Sequence, residues 1–217
     1  SCAVIGAGFI GLEMAENLAE RGVHVTVVEG ASHVMPPIDM DMAHQVHNYI
    51  RAQGIDLYLG QTCTAMDKDG VILKDGRKIP ADMVILSIGV RPDTGFLKDS
   101  GIELGARGEI LVNSYMETSA PDVYALGDAA SVRHIVSGKQ VLIPLASPAN
   151  KQGRIVGDNL CGRKTAYKGS QGTSIMKFFG LTVAVTGEKE ESLQAQGRTF
   201  CKVITTSASQ AGYYPGG

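Results

Sequence analysis

Near the start of the chain, Gly6-Ala7-Gly8-Phe9-Ile10-Gly11 carries glycine at its first, third and sixth positions, and a carboxylate, Glu29, follows about 20 residues further on. This spacing suits phosphate binding. Gly6 allows a tight turn, Gly8 lets the backbone approach a pyrophosphate, and Gly11 lets a helix pack closely on a strand. The free N–H groups and positive dipole end of that helix attract the phosphates. A carboxylate at Glu29 accepts hydrogen bonds from the hydroxyls of an adenosine ribose and repels a 2′-phosphate. No Arg or Lys follows Glu29 closely, so the pattern favours NADH over NADPH.

The flanking residues predict the elements that position these groups. Cys2–Ile5 is an apolar run fit for a strand buried on both faces. Ile10, Met14 and Leu18, thickened by Ala15 and Ala19, predict a helix with that stripe toward the core, closed by Arg21-Gly22. His24 to Glu29 reads as the second strand. Pro36-Pro37 exclude a helix from Gly30 to Ile38. Asp39 is placed to cap a helix reaching about Ala52, with Met40, Ala43, Val46 or His47, and Ile50 on one face. A short strand, Asp56 to Leu59, comes next. Between Thr62 and Ile79, Asp69-Gly70 and Asp75-Gly76 predict a three-stranded meander interrupting the βα alternation. Asp82 to Ile88 returns as an apolar strand and ends in Gly89-Val90-Arg91-Pro92-Asp93, at the carboxyl edge where doubly wound folds bind ligands. Arg91 and Asp93 are equally open to ordinary turn chemistry.

Further along, short strands are expected at Glu109–Val112 and Val123–Leu126. The second delivers Gly127-Asp128, whose carboxylate can reach the hydroxyls of a polyol lying along the strand ends. Leu145 to Leu160 reads as a helix with Pro148 in its first turn, and 164–170 as a polar connector. Strands at 173–179 and 181–186, a helix at 188–196 and a strand at 199–205 follow. This change from βαβ to antiparallel character predicts a different domain.

The chain has 217 residues and a formal net charge of −2, with no long run of one sign, so nothing in it points to nucleic acid or an anionic membrane surface. No apolar stretch of about 18 residues and no signal peptide is present, which makes the cytoplasm the expected location. Cys2, Cys63, Cys161 and Cys201 are scattered without metal-ligand spacing, and His44 and His47 read as surface and core rather than a metal pair. The start within a strand and the end at Tyr213-Tyr214-Pro215-Gly216-Gly217 predict that both ends are cut.

Taken together, these motifs resemble those of flavin- and pyridine-nucleotide-dependent disulfide oxidoreductases, in the branch holding CoA-disulfide reductases, NADH oxidases and NADH peroxidases. Gly6 to Glu13 resembles the NAD motif, including the aromatic Phe9 and the acid Glu13. Thr118 to Asp128 resembles the second FAD motif. Pro144-Leu145-Ala146 and Asn150-Lys151-Gln152-Gly153-Arg154 resemble the helix that approaches the flavin. The resemblance implies an α/β fold: a doubly wound, Rossmann-like NAD-binding domain with a β-meander insertion over 1–113, the returning segment of an FAD-binding domain over 114–163, and the start of an α+β dimerisation domain over 164–217.

It also implies roles. Gly6, Gly8 and Gly11 would hold the NADH pyrophosphate, Ile10 would be a further cofactor-binding residue, Glu29 would meet the ribose, Phe9 would be the gate over the flavin, and Glu13 would lie at the flavin–nicotinamide junction. Gly89 would pass close to the dinucleotide, Gly127 and Asp128 would hold the FAD ribityl chain, and Leu145 and Ala146 would present backbone to the isoalloxazine. Asn150, Tyr213 and Tyr214 would lie near a CoA-type substrate. The redox-active cysteine of this branch matches none of the four cysteines, so the chain alone is expected to be inactive. The complete form would be a homodimer passing hydride from NADH through FAD to a cysteine that reduces CoA disulfide, CoA persulfide or polysulfide. The alternatives are an NADH oxidase or peroxidase acting on oxygen or peroxide, and a non-catalytic NADH-binding redox sensor.

Overall fold

A computed structural model describes residues 1–208 and 212–213. In chain order the elements are β1 (Cys2–Ile5), α1 (Phe9–Ala19), β2 (Val25–Glu29), α2 (Met40–Ala52), β3 (Asp56–Leu59), β4 (Cys63–Asp67), β5 (Gly70–Leu73), β6 (Lys78–Pro80), β7 (Met83–Leu86), β8 (Val132–Arg133), β9 (Gln140–Val141), α3 (Ala146–Leu160), β10 (Ser174–Phe178), β11 (Leu181–Val185) and α4 (Glu190–Ala195). The central sheet is parallel, in the order β3-β2-β1-β7. The two faces of β1 and β2 build two cores because successive side chains point to opposite sides. Cys2, Val4, Val25 and Val27 pack with Leu12 and Ala15 of α1 and Ala43, Val46 and Ile50 of α2. Ala3, Ile5 and Val28 pack on the other side with Val71, Leu73 and Ile79 of the antiparallel meander β4-β5-β6.

The expected α1 stripe is borne out at Ala15, Leu18 and Ala19, which pack on the core, and corrected at Ile10 and Met14. Gly11, Leu12 and Ala15 face the core, while Ile10 is 55% exposed and Met14 37%. Gly11 packs so closely beneath Gly6 that the helix meets the sheet on its Gly11, Leu12 and Ala15 side, which turns Ile10 outward. Asp39 stands at the N-cap position of α2 without capping it; its Oδ1 accepts from the backbone N–H of Glu190 at 2.8 Å instead.

Two expected strands shrink to isolated bridges. Tyr124 bridges Glu117, but Met116 and Asp122 adopt φ of 66° and 60°, which breaks the extended backbone on either side. Ile110 bridges Leu104 and Ala130, flanked by the Gly105–Gly108 turn. The segment 199–205 forms no strand; among the described residues no strand pairs with it, and Val203 and Ile204 stay exposed.

The β10–β11 hairpin joins the first core. Met176 and Phe178 are buried against α1 and α2, Glu16 Oε1 accepts from Phe179 N at 2.7 Å, and the Tyr49 hydroxyl accepts from Gly180 N at 2.9 Å. Among the described residues no helix is long and apolar enough to cross a membrane.

Candidate functional site

The site begins where β1 ends. Gly6 takes φ of 104°, a conformation that favours glycine, and its N–H donates to Val28 O at 2.8 Å. Ser87, just after β7, closes this turn from the far side: its N–H donates to Ile5 O at 2.8 Å, and its hydroxyl sits 2.9 Å from both Ile5 O and Gly6 O. A Cβ on Gly11 would lie 1.9 Å from Gly6 O, so the helix can start here only if residue 11 is glycine. Gly8 differs. Nothing lies within 4 Å of a Cβ built there, and its φ of −76° suits any residue. Gly8 is the N-cap of α1 and brings no side chain to cap it, so the first-turn N–H groups face the cavity side uncapped.

Glu29 ends β2 beside this turn. Its Oε2 accepts from Ala7 N at 2.7 Å and its Oε1 from Ala31 N at 2.8 Å. The carboxylate thus fixes the glycine loop as well as facing a cavity of about 460 Å³, whose walls include Gly6, Gly8, Glu29, Gln61, Ser87 and Gly89. A second cavity of about 480 Å³ continues from it, sharing Gly8, Ser87 and Gly89, and reaches Phe9, Ile10, Glu13, Leu145 and Ala146. Strand β10 supplies its outer wall through Ser174 and Ile175. The pair forms one trough along the carboxyl ends of the strands, acidic at one end and apolar at the other, which can take a dinucleotide lengthwise.

A third cavity of about 320 Å³ holds Asp128 together with Arg91, Arg107 and Pro144. Gly127 takes φ of 83°, and its N–H donates to Oε1 of the buried Gln152 on α3 at 2.7 Å, tying the turn before Asp128 to the helix that carries Leu145 and Ala146 at its start. These features fit a polyol and phosphates: a carboxylate for hydroxyls, two guanidinium groups for negative charge. Asn150 is exposed and turns its amide back onto Ala146 O at 3.0 Å. Tyr213 is 81% exposed, and Tyr214 lies outside the described residues. Sequence patterns missed Ser87, Gln61 and Gln152. Ser87 could have been sought two residues before Gly89 at a strand end, and Gln152 lies within the 150–154 stretch already singled out though no role was given to it, whereas Gln61 belongs to no local pattern.

The cysteines stand apart from one another, all free: Cys2 is buried, which pushes its thiol pKa up, Cys63 is half-buried, and Cys161 and Cys201 are exposed. Among the described residues no cluster of His, Cys, Asp or Glu could hold a metal ion.

A family model described as pyridine nucleotide-disulphide oxidoreductase matches residues 1–153. The crystal structure of reduced Bacillus anthracis CoADR-RHD superposes with a TM-score of 0.96 at 45% identity, over 99% of this chain and 39% of that one. A Pyrococcus furiosus NAD(P)H sulfur oxidoreductase (CoA-dependent) is 34% identical over 99% of this chain and 49% of its own length. An Enterococcus faecalis NADH oxidase is 38% identical over 89% of this chain and 45% of its own length. The chain thus spans about half the length of the curated relatives it matches.

Proposed function

Because this chain belongs to the pyridine nucleotide-disulphide oxidoreductase family, we propose that it is the nicotinamide-binding part, with the returning flavin segment, of an NADH- and FAD-dependent oxidoreductase whose acceptor is a CoA disulfide, CoA persulfide or polysulfide. The observation that carries this reading is the continuous trough from Glu29, past the open space over Gly8, to Phe9, Glu13, Leu145 and Ala146. The sulfur-reducing activities in the names of relatives support the acceptor class.

When bound, nicotinamide and flavin supply the hydride and electron transfer. The chain's own part is alignment. Gly8 and the uncapped start of α1 would meet the pyrophosphate, with Gly6 and Gly11 setting the turn. Glu29 would accept from the adenosine ribose, and the lack of any Lys, Arg or His in that cavity favours NADH over NADPH. Phe9, Ile10 and Leu145 would exclude water from the ring faces, with Glu13 orienting at the junction. Gly89 would lie along the dinucleotide, and Ala146 would present its backbone to the flavin. Gly127 and Asp128 would hold the flavin's ribityl chain, and Arg91 and Arg107 supply positive charge beside it.

In this reading 1–113 binds NADH, 114–163 returns to the flavin, and 164–217 begins the part through which a cytoplasmic homodimer forms. Asn150, Tyr213 and Tyr214 would meet the substrate, and the redox cysteine would be supplied from outside this chain. The second reading, an NADH oxidase, draws on the Enterococcus relative.

The test follows anaerobic NADH consumption by the complete polypeptide that carries this chain, first with CoA disulfide and then, separately, with oxygen. Turnover with CoA disulfide and little with oxygen supports the first reading. Rapid turnover with oxygen alone replaces it with the second, and no turnover with any acceptor leaves a redox sensor.

A further inference from the structure

We infer that Ser87 is a positioning residue of the dinucleotide site, its hydroxyl holding the main-chain oxygen of Gly6 away from the pyrophosphate of NADH; this rests on the dinucleotide reading above. The group it acts on is the peptide unit joining Gly6 to Ala7. That unit is held at both polar ends by side chains from the ends of the two strands that flank β1. At its nitrogen, Ala7 N–H donates to Glu29 Oε2 at 2.7 Å. At its oxygen, the Ser87 hydroxyl lies 2.9 Å from Gly6 O. The same hydroxyl is 2.9 Å from Ile5 O, but that oxygen already accepts from Ser87 N at 2.8 Å. No other group among the described residues donates to Gly6 O, so the single hydroxyl proton serves the oxygen that has no other donor.

The direction of that oxygen matters to a ligand. Gly6 O points into the contact between α1 and the end of β7, since a Cβ on Gly11 would lie 1.9 Å from it and 2.7 Å from Ser87 Oγ. Glycine gives a peptide unit more rotational freedom than any other residue, so residue 6 does not by itself fix this direction. Turned toward the trough, the oxygen would set partial negative charge against phosphates and take Ala7 N–H off Glu29. The place is also the sensitive one. Gly8, Ser87 and Gly89 line both cavities, so the clamp stands at their junction, in the middle of the trough, where the reading above puts the pyrophosphate. Without the hydroxyl, Gly6 O has no donor in its present place, and an unpaired main-chain oxygen is costly to keep there. The unit then spends part of its time turned, and apparent affinity falls with the fraction of chains still competent to bind.

The test titrates the complete polypeptide that carries this chain, oxidised, as parent and as Ser87→Ala, with NAD⁺ by calorimetry and then with adenosine, read by its displacement of NAD⁺. NAD⁺ carries the pyrophosphate and adenosine carries no phosphate, so only the first feels the direction of Gly6 O. Loss of the hydroxyl is expected to weaken NAD⁺ about three- to tenfold and to leave adenosine within about twofold of the parent. Unchanged NAD⁺ affinity in Ser87→Ala overturns the assignment, as does weakening of adenosine by the same factor as NAD⁺, the mark of a site that has merely loosened. Failure of the parent to bind NAD⁺ at all would overturn the dinucleotide reading together with it.

Discussion

A Cβ atom on Gly6 would lie 2.3 Å from the main-chain oxygen of Ser87, so the turn after β1 and the end of β7 exclude any side chain between them. Gly6 and Gly11 are therefore glycine for the sake of the fold, whereas nothing in the fold requires glycine at residue 8, which the proposed function assigns to the ligand. Gly6→Ala and Gly11→Ala should lower the melting temperature and weaken NADH binding together, because backbone must move and, at residue 6, a positive φ must be held. Gly8→Ala should leave the melting temperature within about 2 °C, since a surface change away from packing costs little, while weakening NADH at least tenfold. Thermal unfolding and nucleotide titration of the three variants separate these outcomes. Equal destabilisation by Gly8→Ala would contradict the division of labour.

Glu29 holds Ala7 N and Ala31 N, and under the proposed function it also meets the ribose; substitutions should expose both. Glu29→Arg should weaken NADH and shift relative preference toward NADPH, measured as a ratio of dissociation constants. It also releases Ala7 N and Ala31 N, so some melting temperature should be lost as well, on the scale of about 1–3 kcal/mol for hydrogen bonds to a charged acceptor. An unchanged preference ratio would remove Glu29 from the ribose.

The C-terminal hairpin is fastened to α1 and α2 by a few identifiable contacts. Phe178→Ala opens a cavity in the shared core and should cost about 3–5 kcal/mol. Tyr49→Phe removes only the acceptor for Gly180 N and should cost about 1 kcal/mol. Denaturant unfolding measures both. A negligible effect of Phe178→Ala would mean that the hairpin does not share this core.

Acid should loosen the core at His47. Burial, aided by the positive charges of Arg51, His44 and His33, pushes its pKa down from 6.5 to about 4. The unfolded chain takes up this proton near pH 6.5 and the folded chain only near pH 4, so the contribution is complete above pH 6.5 and is lost as pH falls from there toward 4. In the fold the neutral ring accepts from Val34 N at 3.2 Å. His47→Gln keeps an acceptor and loses the titration, so melting temperature against pH should be flatter for the variant between pH 6.5 and 4, by roughly 6–12 °C at the acid end. Identical slopes would remove His47 as the source.

Much of this was legible from local sequence. The glycine spacing, the terminal acid at Glu29 and the Asp-Gly turns of the meander each specify a short piece of backbone by its own chemistry. Illegible were the relationships spanning many residues. Ser87 closes the glycine turn from 81 residues away, Asp39 forgoes its own helix to hold Glu190, and Gln152 reaches back to Gly127. The segment 199–205 shows the converse: its β-branched run favours a strand, but a strand needs a partner edge, and local propensity says nothing of whether one is near.

The most direct test is a crystal structure of the protein with NADH. The account predicts adenosine between Glu29 and Gln61, pyrophosphate over Gly8 at the start of α1, and nicotinamide against Phe9, Ile10 and Leu145. Nucleotide bound outside this trough, or lying in it with nicotinamide at Glu29, would contradict it.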